Sequence, residues 1–463
     1  MGPMSAFHLP TLREAVSRIR GGSLSSADVW QACANQIERL NPQLKAFITV
    51  TDRRQVQETF PRHASQSGTS QLAGVPIAVK DMFETAGMLT TAGSLFFKDH
   101  MPVRDATVVA KLRTAGGQII GKTNTHEIAL GVTNVNPHFG TCRNPWDMER
   151  ISGGSSGGSA VAVATGMALA ALGTDTGGSI RIPAALCGVV GLKPTFGLVS
   201  LRGVFPLSWN LDHAGPLTRC AADAAFLLGI IAGYDEGDLL SVDRPFEDYE
   251  RGLEDGVAGW RVALAGGSYV EDSDPEVLNA LQDAAAVFRR LGARVESLDL
   301  SYLRAAALAN GLMTQADGAT YHRQRLADHP HLFGEDVRRR LQTGRDTGVS
   351  DYVQARQTQT EMRHRLAGLL REHDLILLPA TPITAPLIQG GDAVERARQL
   401  TRFTAPFNLT GLPAISIPCG FGRQGLPIGL QIVGAAWSEA HLLQAAHAYE
   451  RETQWGLRPP PVL

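Results

Sequence analysis

Ile151–Ala184 reads ISGGSSGGSAVAVATGMALAALGTDTGGSIRIPA, two glycine–serine clusters flanking an apolar run. Ser159–Leu172 is apolar nearly all round, which predicts a helix buried on every side. The serines of the first cluster, Ser155 and Ser156 among them, then sit at the helix N-terminus, in a loop that glycine lets turn sharply. In the second cluster, Thr176, Gly177, Gly178 and Ser179 can present successive N–H groups to one point. A row of donors beside a serine is what an oxyanion hole requires. Ser179 is therefore the candidate nucleophile, and it needs a base. Two G-x-S-x-G matches, through Ser155 and Ser156, follow the polar loop RNPWDMER rather than a strand, which weakens a nucleophile-elbow reading.

The flanks alternate strand and helix signals. Thr11-Leu-Arg-Glu14 is a capping box opening one helix, and Ser25-Ser-Ala-Asp28 opens a second that Asn41-Pro42 should stop. From Gly74, GVPIAVKD reads as a short buried strand, and Gln118–Ile120 as another, with a helix over Val108–Thr114 between them. Further strands are expected at Arg261–Ala265, Leu375–Leu378, Ala414–Ile417 and Ile428–Val433. Asp274-Pro275-Glu276 should start a helix with Asp274 as N-cap, Val277, Leu281, Phe288 and Leu291 as its core face, and Gly292 as its stop. Such alternation gives an α/β class: residues 1–70 as a helical arm packed on the core, and 71–463 as one domain with a central mixed β-sheet surrounded by helices. The polar stretch Asp235–Ala258 reads as an excursion from the sheet. Ala305–Arg340 is a helical segment placed to cap a pocket.

Gly116–Thr123, GGQIIGKT, matches the P-loop pattern. The order of elements is wrong for it. A helix precedes the glycines, and Gln-Ile-Ile forms an apolar strand whose amides cannot curl round a phosphate. The composition is 44% hydrophobic and 19% charged, with a net charge of −2, which argues against nucleic acid or a polybasic membrane patch. Cys33, Cys142, Cys187, Cys220 and Cys419 are scattered without a C-x-x-C pair, so reduced thiols in a cytoplasmic protein are expected, with neither disulfides nor a zinc site. MGPMSAFHLP has no signal-peptide core and, with Ala6, no myristoylation pattern.

GVPIAVKD, GGSSGGSA and GTDTGGSIRIPA, in this order and with Ser155 and Ser179 24 positions apart, resemble the amidase signature family. GKTNTHE, CGVVGLKPT, LDHAGPLTR and FTAPFNLTGLPAISIPCGF extend the resemblance from about Leu72 to Trp455. The resemblance implies a Ser–cis-Ser–Lys triad, with Ser179 as nucleophile, Ser155 as bridge and Lys80 as base. It also implies oxyanion donors at Thr176, Gly177, Gly178 and Ser179, a mixed sheet wrapped in helices, and no metal or cofactor. A lysine near its ordinary pKa of about 10.4 is no base at neutral pH. Burial at the end of an apolar strand lowers that value. Taken alone, Lys80 beside Asp81 reads as an ion pair; with both serine clusters present, it reads as the base. Asp175 and Arg181 flank the nucleophile loop and are expected to hold its shape.

Nothing in spacing singles out His126, His138 or His213 for a Ser–His–Asp triad. Phe205, Leu207 and Trp209, at the start of PLSWNLDHAG and just before it, are candidates to line an apolar pocket, with core packing the even alternative. The expected reaction is hydrolysis of a small amide or carbamate through an acyl-enzyme. The alternatives are a biuret- or allophanate-type hydrolase and the glutaminase A subunit of a tRNA-dependent amidotransferase. In that role the chain would typically carry an Asp in a D-x-F-T stretch that contacts glutamine, and here Thr401-Arg-Phe-Thr404 places a threonine there. PLSWNLDHAG and DYVQAR look more like stand-alone amidases. Partners beyond the small substrate are limited to a homodimer, with no nucleic acid and no membrane.

Overall fold

A computed structural model of the chain describes residues 10–51 and 70–463. The stretch Met1–Leu9, where no signal-peptide core is expected, lies outside them. Among the described residues eleven strands form one mixed sheet. They are β1 (Phe47–Val50), β2 (Pro76–Lys80), β3 (Gln118–Thr123), β4 (Ala170–Thr174), β5 (Val190–Lys193), β6 (Ala214–Thr218), β7 (Arg261–Gly266), β8 (Arg294–Asp299), β9 (Leu375–Pro379), β10 (Ala414–Phe421) and β11 (Pro427–Val433). Their order is β1-β3-β2-β4-β6-β5-β10-β11-β9-β7-β8. β2 runs parallel to both β3 and β4, and β7 parallel to β8 and β9. The middle of the sheet is antiparallel, through β4–β6, β6–β5, β5–β10, β10–β11 and β11–β9.

Central strands covered on both faces must be apolar on both faces. β2, β4, β9 and β11 are buried at every position, whereas edge strand β8 (RVESLD) is mostly exposed. Helix α1 (Leu12–Arg20) starts at the Thr11 capping box, and its first N–H donors end on Asp223, at 2.8 Å from Leu12 and 3.0 Å from Arg13. The N-terminal segment is not only helical, since β1 pairs with β3 and gives the sheet its edge. In α5 (Pro275–Arg290), Pro275 takes the first position, but Asp274 makes no side-chain cap bond. The excursion Asp235–Ala258 forms neither strand nor helix and is pinned by buried Tyr249, Leu253 and Val257. No helix among the described residues is long and apolar enough to cross a membrane.

Two boundaries differ from the sequence reading. The apolar run Ser159–Leu172 is not one helix: α3 (Gly157–Ala164) ends, Gly166 turns at φ +70°, and β4 follows. A strand buried on both faces has no alternation, so period could not separate it from a buried helix. Helix α2 (Ser26–Leu44) passes Asn41-Pro42 and ends where Lys45 takes φ 52°. The last turn is held by the Lys45 N–H on the Asn41 carbonyl, 2.9 Å, and by burial of Leu44. The P-loop look-alike is strand, with Gly121-Lys122-Thr123 inside β3. Lys122 is fully buried and donates to Phe83 O and Thr90 Oγ1, both 2.7 Å, with Asp81 Oδ1 3.3 Å away. Asp81 therefore partners Lys122 and not Lys80.

Candidate active site

Lys80 ends β2, and its neighbour β4 ends at Thr174, so parallel pairing brings these two ends side by side. Lys80 Nζ lies 2.7 Å from Thr174 Oγ1 and 2.7 Å from Ser155 Oγ. Ser155 stands just before α3; the Gly154–Ser155 peptide is cis, and the Ser155 carbonyl accepts from His126 N, 3.2 Å. The two serine loops are sewn together by Ser156. Its N–H donates to Ser179 O at 3.1 Å, and its hydroxyl to Thr174 O at 3.1 Å. Glycine is needed at the start of α3 because a Cβ on Gly158 would lie 2.3 Å from Ala46 O and 2.5 Å from Asn124 N. The loop is thereby pressed against the sheet, and Ser155 is fully buried.

The nucleophile loop hangs on a buried polar network. Asp175 accepts from the N–H of Gly178 (2.7 Å) and Ile180 (3.1 Å) and from Arg181 Nε and Nη2 (3.0 and 2.9 Å). Arg181, at the start of α4 (Arg181–Cys187), donates onward to Thr404 O, Gln431 Oε1 and Asn408 Oδ1 at 3.0, 2.6 and 2.6 Å. Asn408 returns a bond to the Asp175 carboxylate, 2.8 Å. Gly178 sits at φ +133°, where a Cβ would meet Thr404 Oγ1 at 2.1 Å. Its N–H is committed to Asp175, so among the four amides expected as donors those of Thr176, Gly177 and Ser179 are the ones with no partner among the described residues.

Electrostatics follow from burial. Desolvation pushes the Lys80 amine down from 10.5 to about 7, against the charges of Asp175 and Asp212, which favour its protonated form. Burial pushes the Asp175 carboxyl up, but Arg181 and then Lys193 outweigh it and hold it well below the usual carboxylate range. Burial raises Asp212 to about 6, even though it accepts from Thr176 Oγ1 (2.6 Å), Leu207 N (2.8 Å) and Ser208 N (3.0 Å). His213 is pushed well below 6.5 by burial and Lys193, and its Nδ1–H donates to Leu211 O at 2.7 Å. His126 and His138 face the carboxylates of Asp336 and Glu127, at 2.9 and 3.1 Å.

A cavity of about 330 Å³ opens over Ser179, Thr176 and Gly177. Leu207 lines it, together with Leu130, Val132 and Leu312. Phe205 and Trp209 do not: Phe205 packs on Phe97, centroids 4.6 Å apart, and Trp209 is 49% exposed, edge-on to Tyr321. Helices α6 (Leu303–Tyr321) and α7 (Glu335–Arg345) supply much of the wall, from the segment expected to cap the pocket. Asn310 of α6 reaches the loop, donating to Thr176 O at 3.1 Å. Thr401, at the end of α8 (Ala393–Leu400), also faces the cavity. Asp212, Asn310, Asn408 and Gln431 were not singled out in the sequence. The available signal was a lone polar residue in an apolar stretch, as in PFNLT and GLQIV. Among the described residues no group of three or more His, Cys, Asp or Glu could hold a metal ion.

A family model described as Amidase matches residues 28–443. The chain is 40% identical over 489 residues to the A subunit of a glutamyl-tRNA(Gln) amidotransferase from Geobacter sp. (strain M21), covering 99% of this chain and all of that one. The crystal structure of the corresponding protein from Thermotoga maritima superposes with a TM-score of 0.85 at 34% identity, over 99% of both chains. A peptide amidase from Stenotrophomonas maltophilia superposes with a TM-score of 0.84 at 31% identity, over 98% of this chain and 99% of its own.

Proposed function

This chain belongs to the amidase family, a hydrolase acting on C–N bonds other than peptide bonds, and on that premise we propose that it cleaves a small carboxylic amide, or a related carbamate, through an acyl-enzyme on Ser179. One observation carries the reading: a fully buried lysine, its amine pushed down to about 7 by burial, lies 2.7 Å from Ser155 Oγ beside the Ser179 loop. Neutral Lys80 has one lone pair and two N–H groups. The lone pair accepts the Ser155 hydroxyl proton while an N–H bonds Thr174. Ser155 in turn takes the Ser179 proton as Ser179 Oγ attacks the carbonyl carbon. The N–H groups of Thr176, Gly177 and Ser179 stabilise the oxyanion. Collapse breaks the C–N bond, and the relay returns the proton to the leaving amine. Water then attacks the ester by the same route, releasing the acid and restoring Ser179. Asp175 and Arg181 position the loop without touching substrate. Five separate free thiols suit a reduced, cytoplasmic setting.

A second reading, the glutaminase component of an amidotransferase, is favoured by the 40% identity with an A subunit of such a complex. Against it, the cavity lining contains Thr401 and no carboxylate, so the ammonium of glutamine has no counter-charge there. The purified chain should be tested on an aliphatic amide, an aryl acylamide, a biuret-type amide, an aryl carbamate and glutamine, with Ser179→Ala as blank. Turnover of the non-glutamine amides, lost in Ser179→Ala, is expected. Activity on glutamine alone, or only after partner proteins are added, would favour the second reading.

A further inference from the structure

Two neighbouring residues of GKTNTHE take no part in the chemistry at Ser179, yet they tie three parts of the site together. Thr123, the last residue of β3, lies opposite Lys80, so the chain leaving β3 runs past the triad. His126 follows, buried, and its backbone N–H donates to Ser155 O at 3.2 Å. Its ring is held by α7, where Asp336 Oδ2 accepts from Nε2 at 2.9 Å. Glu127 repeats the tie. Its Oε2 accepts the N–H of Gly334, the N-cap of α7, at 2.7 Å, and its Oε1 accepts from Ser94 Oγ at 2.7 Å. The chain then turns back through Ile128 and Ala129, at φ 46° and 60°. A β-branched residue is seldom found in that region, and the strain persists only where the surroundings impose it. The turn lays Ala129, Leu130, Gly131 and Val132 along the cavity. A Cβ on Gly131 would lie 2.2 Å from His126 Nε2, so this loop is pressed against the ring.

We propose that His126 is a positioning residue that latches α7 to the Ser155 loop, so that seating the cavity wall and aligning Ser155 with Lys80 are one event. Its kinetic consequences rest on the hydrolase reading above. Helix α7 lines the cavity through Arg340 and Thr343. The bond from Glu127 to its N-cap opposes slip along the helix axis, and the bond from His126 to Asp336 opposes its lifting. If α7 lifts, the ring loses its carboxylate and keeps only Thr133 Oγ1, 3.4 Å from Nδ1. The packing under Gly131 then opens, and the His126 amide is no longer held against Ser155 O. The relay has no slack to absorb this, because Ser155 Oγ must meet Lys80 Nζ at 2.7 Å. A displacement of about 1 Å in such a contact costs on the order of a hundredfold in rate.

Three variants test the latch. His126→Phe keeps the bulk of the ring and removes the bond, Asp336→Leu removes it from the helix side, and His126→Gln restores a donor at the Nε2 position. On the best amide of the panel, kcat should fall about ten- to a hundredfold in His126→Phe and in Asp336→Leu, with KM raised, because relay and wall loosen together. The double variant should be no worse than the poorer single one, since one bond is lost. His126→Gln should recover most of the loss. Hydrogen exchange reads the latch without turnover: His126→Phe should quicken exchange both in α7 and at residues 156–160. If His126→Phe does not fold, Asp336→Leu, whose side chain is 20% exposed, carries the same measurements. The latch is overturned by a lower melting temperature with kcat intact, by losses that multiply in the double variant, by His126→Gln as poor as His126→Phe, or by faster exchange confined to α7. If Ser179→Ala is as active as the unmutated chain, the hydrolase reading falls, and the exchange pattern still decides the latch.

Discussion

The sharpest consequence of a buried Lys80 lies in the pH dependence of the reaction. Its fall from 10.5 to about 7 corresponds to roughly 5 kcal/mol of preference for the neutral amine. On the proposed mechanism about half the molecules would carry a usable base at pH 7, against about one in 3,000 at the unshifted value. Below pH 7 the amine is an ammonium and cannot accept the Ser155 proton. On the acid side kcat/KM should therefore rise about tenfold per pH unit, bend near 7 and level off above 8, with roughly 1% of the plateau left at pH 5. Asp212 favours the charged amine, so Asp212→Asn should move the bend to lower pH. Initial rates at low substrate, from pH 5 to 9.5 at constant ionic strength, test this, with circular dichroism at each pH to follow the fold. The same depression has a sign for stability. The folded value lies below the unfolded one, so between about pH 7 and 10.5 the unfolded state binds more protons and stability rises with pH. Lys80→Met should lack that rise and lose about 10²- to 10⁴-fold in activity. A rate independent of pH across the range, or a bend above pH 9, would refute the lysine as base.

Two further substitutions probe the loop. Gly178→Ala puts a Cβ 2.1 Å from Thr404 Oγ1 at φ +133°, so at least a tenfold loss of kcat and a lower melting temperature are expected, read by initial rates and calorimetry. Asp175→Asn leaves the fully buried Arg181 guanidinium without its counter-charge. Urea unfolding should show about 3–5 kcal/mol lost, while Asp105→Asn, in the half-exposed pair with Arg113, should cost under about 1 kcal/mol.

Much of this site lies on the surface of the sequence because its chemistry is local. Gly178 and Ser179 occupy one loop, Ser155 a second of unusual composition, and Lys80 a charge at the end of an apolar strand. The α/β class was equally plain from alternating signals. Strand β4 was hidden because a segment buried on both faces has the same apolar monotony as a buried helix. Short strands β1, β5 and β6 lacked any period long enough to see. Asp212, Asn408 and Gln431 were invisible for another reason: the partners that tie them to the nucleophile loop lie 36 to 250 positions away, and only folding brings them together. Phe205, Leu207 and Trp209 share one segment, but a turn within it sends Leu207 to the cavity, Phe205 half-buried against Phe97 and Trp209 towards solvent.

The anchorage of Arg181 also bears on how the protein is made. Its onward partners Thr404, Asn408 and Gln431 all belong to the final quarter of the chain. A ribosome delivers Lys80, Ser155 and Ser179 long before those anchors emerge, so a nascent chain owns its reactive groups without the clamp that shapes their loop. On the proposed mechanism a product cut short before Gln431 should be chemically silent even where its earlier strands have folded.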